Sequence, residues 1–203
     1  MKWLSLLALL FCHSAWANVE VGKAAPNFKL PGHDGKTYEL SGLKGKWVVL
    51  EWFNHECPYV KKHYNSEFMA MQNLQKKWRA EGKKDKGLIW LAVNSSAEGK
   101  QGHLTKETAP TIAAERKANM NAILLDPSGS VGKTYGAKTT PHMYIINPEG
   151  TLVYNGAIDD QPSARVSSLK GAKNYVTAAL TSLFAQQAIA EPSTKPYGCS
   201  VKY

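Results

Sequence analysis

Three rhythms of apolar and polar residues run along the chain. The first is a dense apolar run, Trp47-Val48-Val49-Leu50-Glu51-Trp52-Phe53, too continuous for a half-exposed strand. Gly87 to Ser95 and Ala122 to Leu125 repeat it, which predicts three buried strands. The second rhythm is helical. Val60, Tyr64, Phe68, Met71, Leu74 and Trp78 recur every three or four residues and predict one face of a long helix from Pro58 to about Gly82. Val166, Leu169, Ala172, Val176, Leu180 and Leu183 predict a last helix in the same way. The third rhythm is a pair of short extended segments about a turn. Phe28 and Leu30 stand on one side of Pro31-Gly32-His33-Asp34-Gly35, with Thr37, Tyr38 and Leu40 on the other; Met143–Ile146 and Leu152–Tyr154 flank Asn147-Pro148-Glu149-Gly150. The polar stretch from Lys100 to Asn119 reads as helical with Pro110 as an interruption or fresh start, and Val131–Tyr135 as a brief helix. The order of elements is that of an α/β fold: a central mixed β-sheet flanked by helices, with an N-terminal β-hairpin extension.

Composition narrows the class. With 203 residues, 43% hydrophobic and 20% charged, the chain suits one domain with its own core rather than a disordered or cysteine-dense sequence. The leading segment stands apart from that domain. Met1-Lys2 is basic, Trp3 to Cys12 is apolar and Ala15-Trp16-Ala17 is a small-x-small site, so residues 1–17 are expected to be a secretory signal peptide cleaved after Ala17. The apolar run falls short of the ~20 residues a bilayer span needs, and bulky Phe11 argues against a lipid anchor on Cys12. The expected destination is periplasmic or secreted, with membrane contact only in transit. Residues 18–190 then form the domain and 191–203 a tail rich in Pro, Gly and Tyr.

Cleavage leaves Cys57 and Cys199, which in an exported chain can be a structural disulfide, a redox pair or independent thiols. The net charge of +9 is scattered over helix faces such as Lys61-Lys62 and Lys76-Lys77. Without aromatic-basic interleaving it predicts no nucleic-acid partner. Ser128-Gly129-Ser130-Val131-Gly132-Lys133-Thr134 ends like a phosphate loop, but Pro127 takes the place of the leading glycine, so it reads as a helix start capped by Ser128 or Ser130 and no cofactor is expected.

Cys57 carries the chemistry. Pro58 suits a first helical position, which puts Cys57 at the positive end of a helix, with Lys61, Lys62 and His63 adding charge that favours thiolate. Glu51 is a carboxyl in an otherwise apolar strand, where burial raises its pKa and fits it to accept or relay a proton.

The run from Val48 to Val60, with Asn54-His55-Glu56-Cys57-Pro58 at its centre, resembles the active-site strand and helix start of thioredoxin-fold proteins. Gly22-Lys23-Ala24-Ala25-Pro26-Asn27-Phe28-Lys29-Leu30 with Asp34-Gly35-Lys36 resembles the opening of the redoxin and alkyl-hydroperoxide-reductase (AhpC/TSA) branch, and Asn155-Gly156-Ala157-Ile158-Asp159-Asp160 is similar to a peroxiredoxin-like subgroup of exported proteins. The resemblance implies a thioredoxin-like fold, a nucleophilic role for Cys57, a proton role for Glu51, and a cis-proline loop at Thr140-Pro141 facing the thiol. Two departures matter. Val60 stands where thioredoxins carry their second cysteine, and the Pro-x-x-x-Thr-x-x-Cys pattern of true peroxiredoxins is absent. The expected activity is therefore thiol-disulfide exchange through Cys57, with Cys199 as resolving cysteine and with exported thiols, disulfides or small thiols and peroxides as partners. Two rivals stay open: a thiol peroxidase, and a non-enzymatic module binding a metal or partner through Cys57, His63 and His142, with His55 beside Cys57 and His33 apart in the lead-in turn.

Overall fold

The computed structural model describes residues 19–203, so the expected signal peptide and the Cys12 alternative lie outside the described residues. The sheet is built on β3 (Trp47–Trp52), every residue of which is buried. It pairs in parallel with β4 (Leu88–Asn94) and antiparallel with β7 (His142–Ile146). With β5 (Ala122–Leu125) outside β4 and β8 (Leu152–Gly156) outside β7, the order is β5-β4-β3-β7-β8, a mixed sheet as the sequence predicts. β1 (Lys29–Pro31) and β2 (Thr37–Glu39) form the N-terminal hairpin.

Both sheet faces are covered, which is why the strands read as unbroken apolar runs. On one face Val49, Trp90, Ile123, Met143 and Ile145 meet Val60, Tyr64, Met71, Leu74, Trp78, Val176 and Leu180 from helices. On the other, Val48, Leu50, Trp52, Leu91, Val93 and Tyr144 meet Phe28, Leu30 and Leu40 of the hairpin region together with Tyr135.

The helices depart from the expected plan in two places. The long helix is broken into α1 (Pro58–His63) and α2 (Ala70–Gly82). Between them the Asn65 side chain accepts from the backbone N–H groups of Glu67 and Phe68, a local alternative to helical bonding, and Met69 turns to φ +48°. The apolar period survives the break because both pieces face the same core. The last helix, α5 (Tyr175–Phe184), begins later than the apolar spacing suggests. Val166–Leu169 is only a 3-10 turn without buried residues; Gly171 at φ +79° ends the local helical path, and Asn174 caps α5 by accepting from the Thr177 N–H.

Two shorter helices follow the expected pattern more closely. α3 (Ala109–Glu115) starts at Pro110's turn, and α4 (Ser130–Thr134) follows Gly129 rather than a serine cap. Its Gly132 N–H is satisfied by the Asp126 carboxylate. No helix among the described residues is long and apolar enough to cross a membrane.

Candidate active site

The site begins where β3 ends. Asn54 sets the turn: its backbone carbonyl accepts from the Cys57 N–H, its side chain accepts from the Glu56 N–H, and the Glu56 carboxylate accepts from the Gly102 N–H at 2.6 Å. The chain then enters α1 with Pro58 in its first turn and Cys57 as N-cap. Across from it, β6 (Thr139–Thr140) leads into a cis Thr140–Pro141 bond. The Cys57 thiol donates to the Thr140 carbonyl at 3.1 Å.

The tail supplies the second sulfur. β9 (Cys199–Ser200) pairs antiparallel with β6, with Cys199 opposite Thr140, and its sulfur lies 2.7 Å from that of Cys57. Gly198 permits this approach: at φ +137° it passes so close that a Cβ there would stand 2.1 Å from the Thr140 carbonyl oxygen. Cys199 was expected to act with Cys57, but the β6–β9 strand pairing that delivers it left no mark in the sequence, since a two-residue strand shows no period.

Electrostatics distinguishes the sulfurs. Burial pushes the Cys57 thiol up, but the contact with the Cys199 thiol and the Val60 and Cys199 backbone amides outweigh it, so Cys57 lies below the ordinary thiol value. Cys199 is pushed up to about 11 by burial and then by its contact with Cys57. The first proton to leave the pair is that of Cys57. The source of this bias differs from the sequence expectation. α1 has only 6 residues, so its dipole is short. Lys62 is buried and directed at Asp159, while His63 is lowered to about 3 by burial and by Lys62 and is neutral at pH 7. Neither offers a free positive charge to Cys57; hydrogen bonding does that work.

Lys62, His63, Asp159 and Tyr197 instead form a buried latch. The Lys62 ammonium donates to the Gln161 carbonyl at 2.9 Å and to the Tyr197 hydroxyl at 3.1 Å, and lies 3.8 Å from the Asp159 carboxylate. Tyr197 in turn donates to Asp159, and the His63 Nε2 is 3.3 Å from the same hydroxyl. Desolvation lowers the Lys62 pKa, and Asp159 opposes that. The latch ties α1 to a tail residue two positions from Cys199. Its signal in the sequence was faint: a lysine and a histidine on a helix, an acid after β8 and a tyrosine in the tail.

Glu51 is fully buried. It accepts from the Trp90 indole N–H at 2.9 Å, from the Tyr64 hydroxyl at 3.0 Å and from the Gln75 amide at 3.3 Å. Desolvation outweighs these donors and raises its pKa to about 7. Its hydrogen bonds go to these three side chains and to neither sulfur, although Tyr64 and Trp90 share a core cluster with Cys57.

The histidines do not assemble with Cys57. His142 Nε2 meets Asn155 at 2.8 Å, and the ring stacks beside Tyr144, while His63 faces Tyr197 and Asp159. His33 Nδ1 accepts from the Ile123 N–H, and His55 presents its backbone carbonyl to Arg116. Among the described residues no group of three or more His, Cys, Asp or Glu is placed to hold a metal ion. The Cys57-His63-His142 centre weighed from sequence is thus not formed, because burial and hydrogen bonding turn each ring to a different neighbour.

The sequence model of the AhpC/TSA family matches residues 21–155. The chain belongs to the AhpC/TSA family. This member is 31% identical over 136 residues to the thiol-disulfide oxidoreductase ResA of Bacillus subtilis, an alignment that covers 67% of the chain and 66% of ResA. Among solved structures, an uncharacterized conserved protein of Geobacillus kaustophilus superposes with TM-score 0.75 at 25% identity, covering 92% of this chain and 94% of that one. A thiol:disulfide interchange protein DsbE, so described as putative, from Chlorobium tepidum gives TM-score 0.52 at 26% identity over 68% of this chain and 85% of its own. The AhpC/TSA chain therefore has a thioredoxin-like fold, as the resemblance of its Val48–Val60 run implied.

Proposed function

We propose that the protein is a thiol-disulfide oxidoreductase whose redox centre is the Cys57–Cys199 pair. The contact between the two sulfurs at the Thr140–Pro141 loop carries this reading. Cys57, the sulfur with the lowered pKa, is the nucleophile within the pair; Cys199, delivered by the tail, is the partner with which it closes a disulfide. Thr140 holds the Cys57 thiol through its carbonyl, and Pro141 fixes the loop. Likeness to ResA over two thirds of the chain supports the same class of reaction. The substrates are protein or small-molecule thiols and disulfides, and the basic-then-apolar leading segment, read as a signal peptide, supports substrates outside the cytoplasm.

Glu51 is a positioning residue in this scheme. It holds Tyr64 and Gln75 beneath α1 and influences the proton balance of Cys57 through them. In the Glu51→Gln variant, which removes a carboxylate that disfavours the Cys57 thiolate, an acid shift of the pH profile of exchange that exceeds any change in the plateau rate would separate this role from a structural one.

The decisive experiment is reduction of a protein disulfide by the full chain and by Cys57→Ser. Loss of turnover in the variant is expected; undiminished turnover would sink the proposal. Membership of the AhpC/TSA family favours a second reading, in which a peroxide oxidises Cys57 to sulfenic acid and Cys199 displaces water to close the disulfide. Rapid Cys57-dependent peroxide consumption, faster than disulfide exchange, would promote that reading.

A further inference from the structure

The two sulfurs differ sharply in access. Cys57 is 0% exposed, whereas Cys199 is only half-buried. One side of Cys57 is closed by Cys199 itself, and another by the Thr140 carbonyl.

The cover is fastened on both sides of Cys199. Ahead of it, the Tyr197 hydroxyl sits in the latch with Asp159 and Lys62, and its ring meets the Tyr59 ring edge-on at 5.8 Å. Behind it, the Val201 N–H donates to the Lys138 carbonyl, the Lys202 carbonyl accepts from the Ala97 N–H at 2.8 Å, and the Tyr203 hydroxyl donates to the Ala137 carbonyl at 2.8 Å. A partner that reached Cys57 would have to break these bonds together. One that reached the half-buried Cys199 would meet less of this cover.

We propose that Cys199, rather than Cys57, is the sulfur at which the oxidised protein exchanges with an external thiol, an inference that rests on the Cys57–Cys199 pair proposed above. The partner is a protein or small-molecule thiol that ionises before attack. Its thiolate forms a bond to the Cys199 sulfur, the Cys57–Cys199 bond breaks, and the electron pair leaves on Cys57 as thiolate. A second partner thiolate then attacks the partner sulfur of the mixed disulfide. Cys199 leaves and takes up a proton, the protein gains two electrons, and the two partner thiols end as a disulfide. The lowered thiol pKa of Cys57 makes it the better leaving group, so access and chemistry select the same direction. Cys57 is then the internal nucleophile that recloses the pair, and Cys199 the point of entry.

The test uses the full chain oxidised with diamide and mixed with excess glutathione. Samples are acid-quenched over a time series, free thiols are blocked with N-ethylmaleimide, and the Cys57 and Cys199 peptides are weighed. At the shortest times glutathione is expected on Cys199 with maleimide on Cys57, in about tenfold excess over the reverse pattern. Glutathione on Cys57, equal occupancy, or reduction without any Cys199 adduct would overturn the proposal. Failure to form an internal disulfide with diamide shows before glutathione is added; it defeats the pair itself, and this inference with it.

Discussion

Glu51 is a carboxyl that the fold removes from water and surrounds with donors from Trp90, Tyr64 and Gln75, and burial still prevails, lifting its pKa from 4.5 to about 7. An acid with a folded pKa above its unfolded one binds its proton more tightly in the native state. Its contribution to stability is therefore fully present below about pH 4.5, is lost as pH rises towards 7, and stays lost above. The size of that loss is about 3 kcal/mol. Glu51→Gln removes the titration, so denaturant melts should show the variant gaining on the parent protein by about 3 kcal/mol between pH 4.5 and pH 8. A difference that stays constant across this range would contradict it. His63 and His142 act in the opposite sense: burial lowers them to about 3 and about 4, so stability falls as pH drops below their ordinary 6.5. Both proteins carry those histidines, and comparing them cancels that contribution.

At the scale of elements, legibility followed burial. β3, β4 and β5 were readable because both their faces are covered, which leaves no polar alternation to confuse the pattern. Glu51 stood out as the one charge in such a run, and Cys57 was readable from Pro58, which marks the helix start beside it. The break between α1 and α2 was not, because Asn65 bonds to its own backbone neighbours without disturbing the apolar face. β9 was beyond reach of any periodicity, since its 2 residues are held by contacts distant in sequence. Within that strand's approach Gly198 is the position least able to change. Gly198→Ala would set a Cβ against the Thr140 carbonyl oxygen in a backbone conformation that alanine resists, a strain of about 1–3 kcal/mol. Internal disulfide closure, followed by loss of maleimide-reactive thiols after addition of diamide, should slow about tenfold or more. Unchanged closure would mean that the β6–β9 pairing does not deliver Cys199.

Across the whole molecule, the Lys62–Asp159 pair joins α1, the segment after β8 and the tail into one unit. Both side chains are buried, at 0% and 2% exposure, so their attraction is set against a large desolvation cost and depends on full hydrogen bonding. Lys62 has Gln161 and Tyr197 as further partners; Asp159 accepts from Tyr197 and from the Gln161 N–H. Removing the carboxylate alone leaves the ammonium buried beside a tyrosine that has lost its acceptor, so Asp159→Ala should cost about 3–5 kcal/mol in denaturant unfolding. Lys62→Met should cost less, because the carboxylate keeps two donors. The double variant, which buries no lone charge, should fall short of the sum of the singles by about 1–3 kcal/mol. The latch also fixes Tyr197, so Asp159→Ala should raise amide hydrogen exchange in the segment from Lys195 to Tyr203 more than in β3 or β4. Additive energies together with an unprotected β3 would mean that the mutation loosens the core generally. Coupling confined to the tail would show that a buried charge pair, remote in sequence from Cys199, holds that cysteine in place.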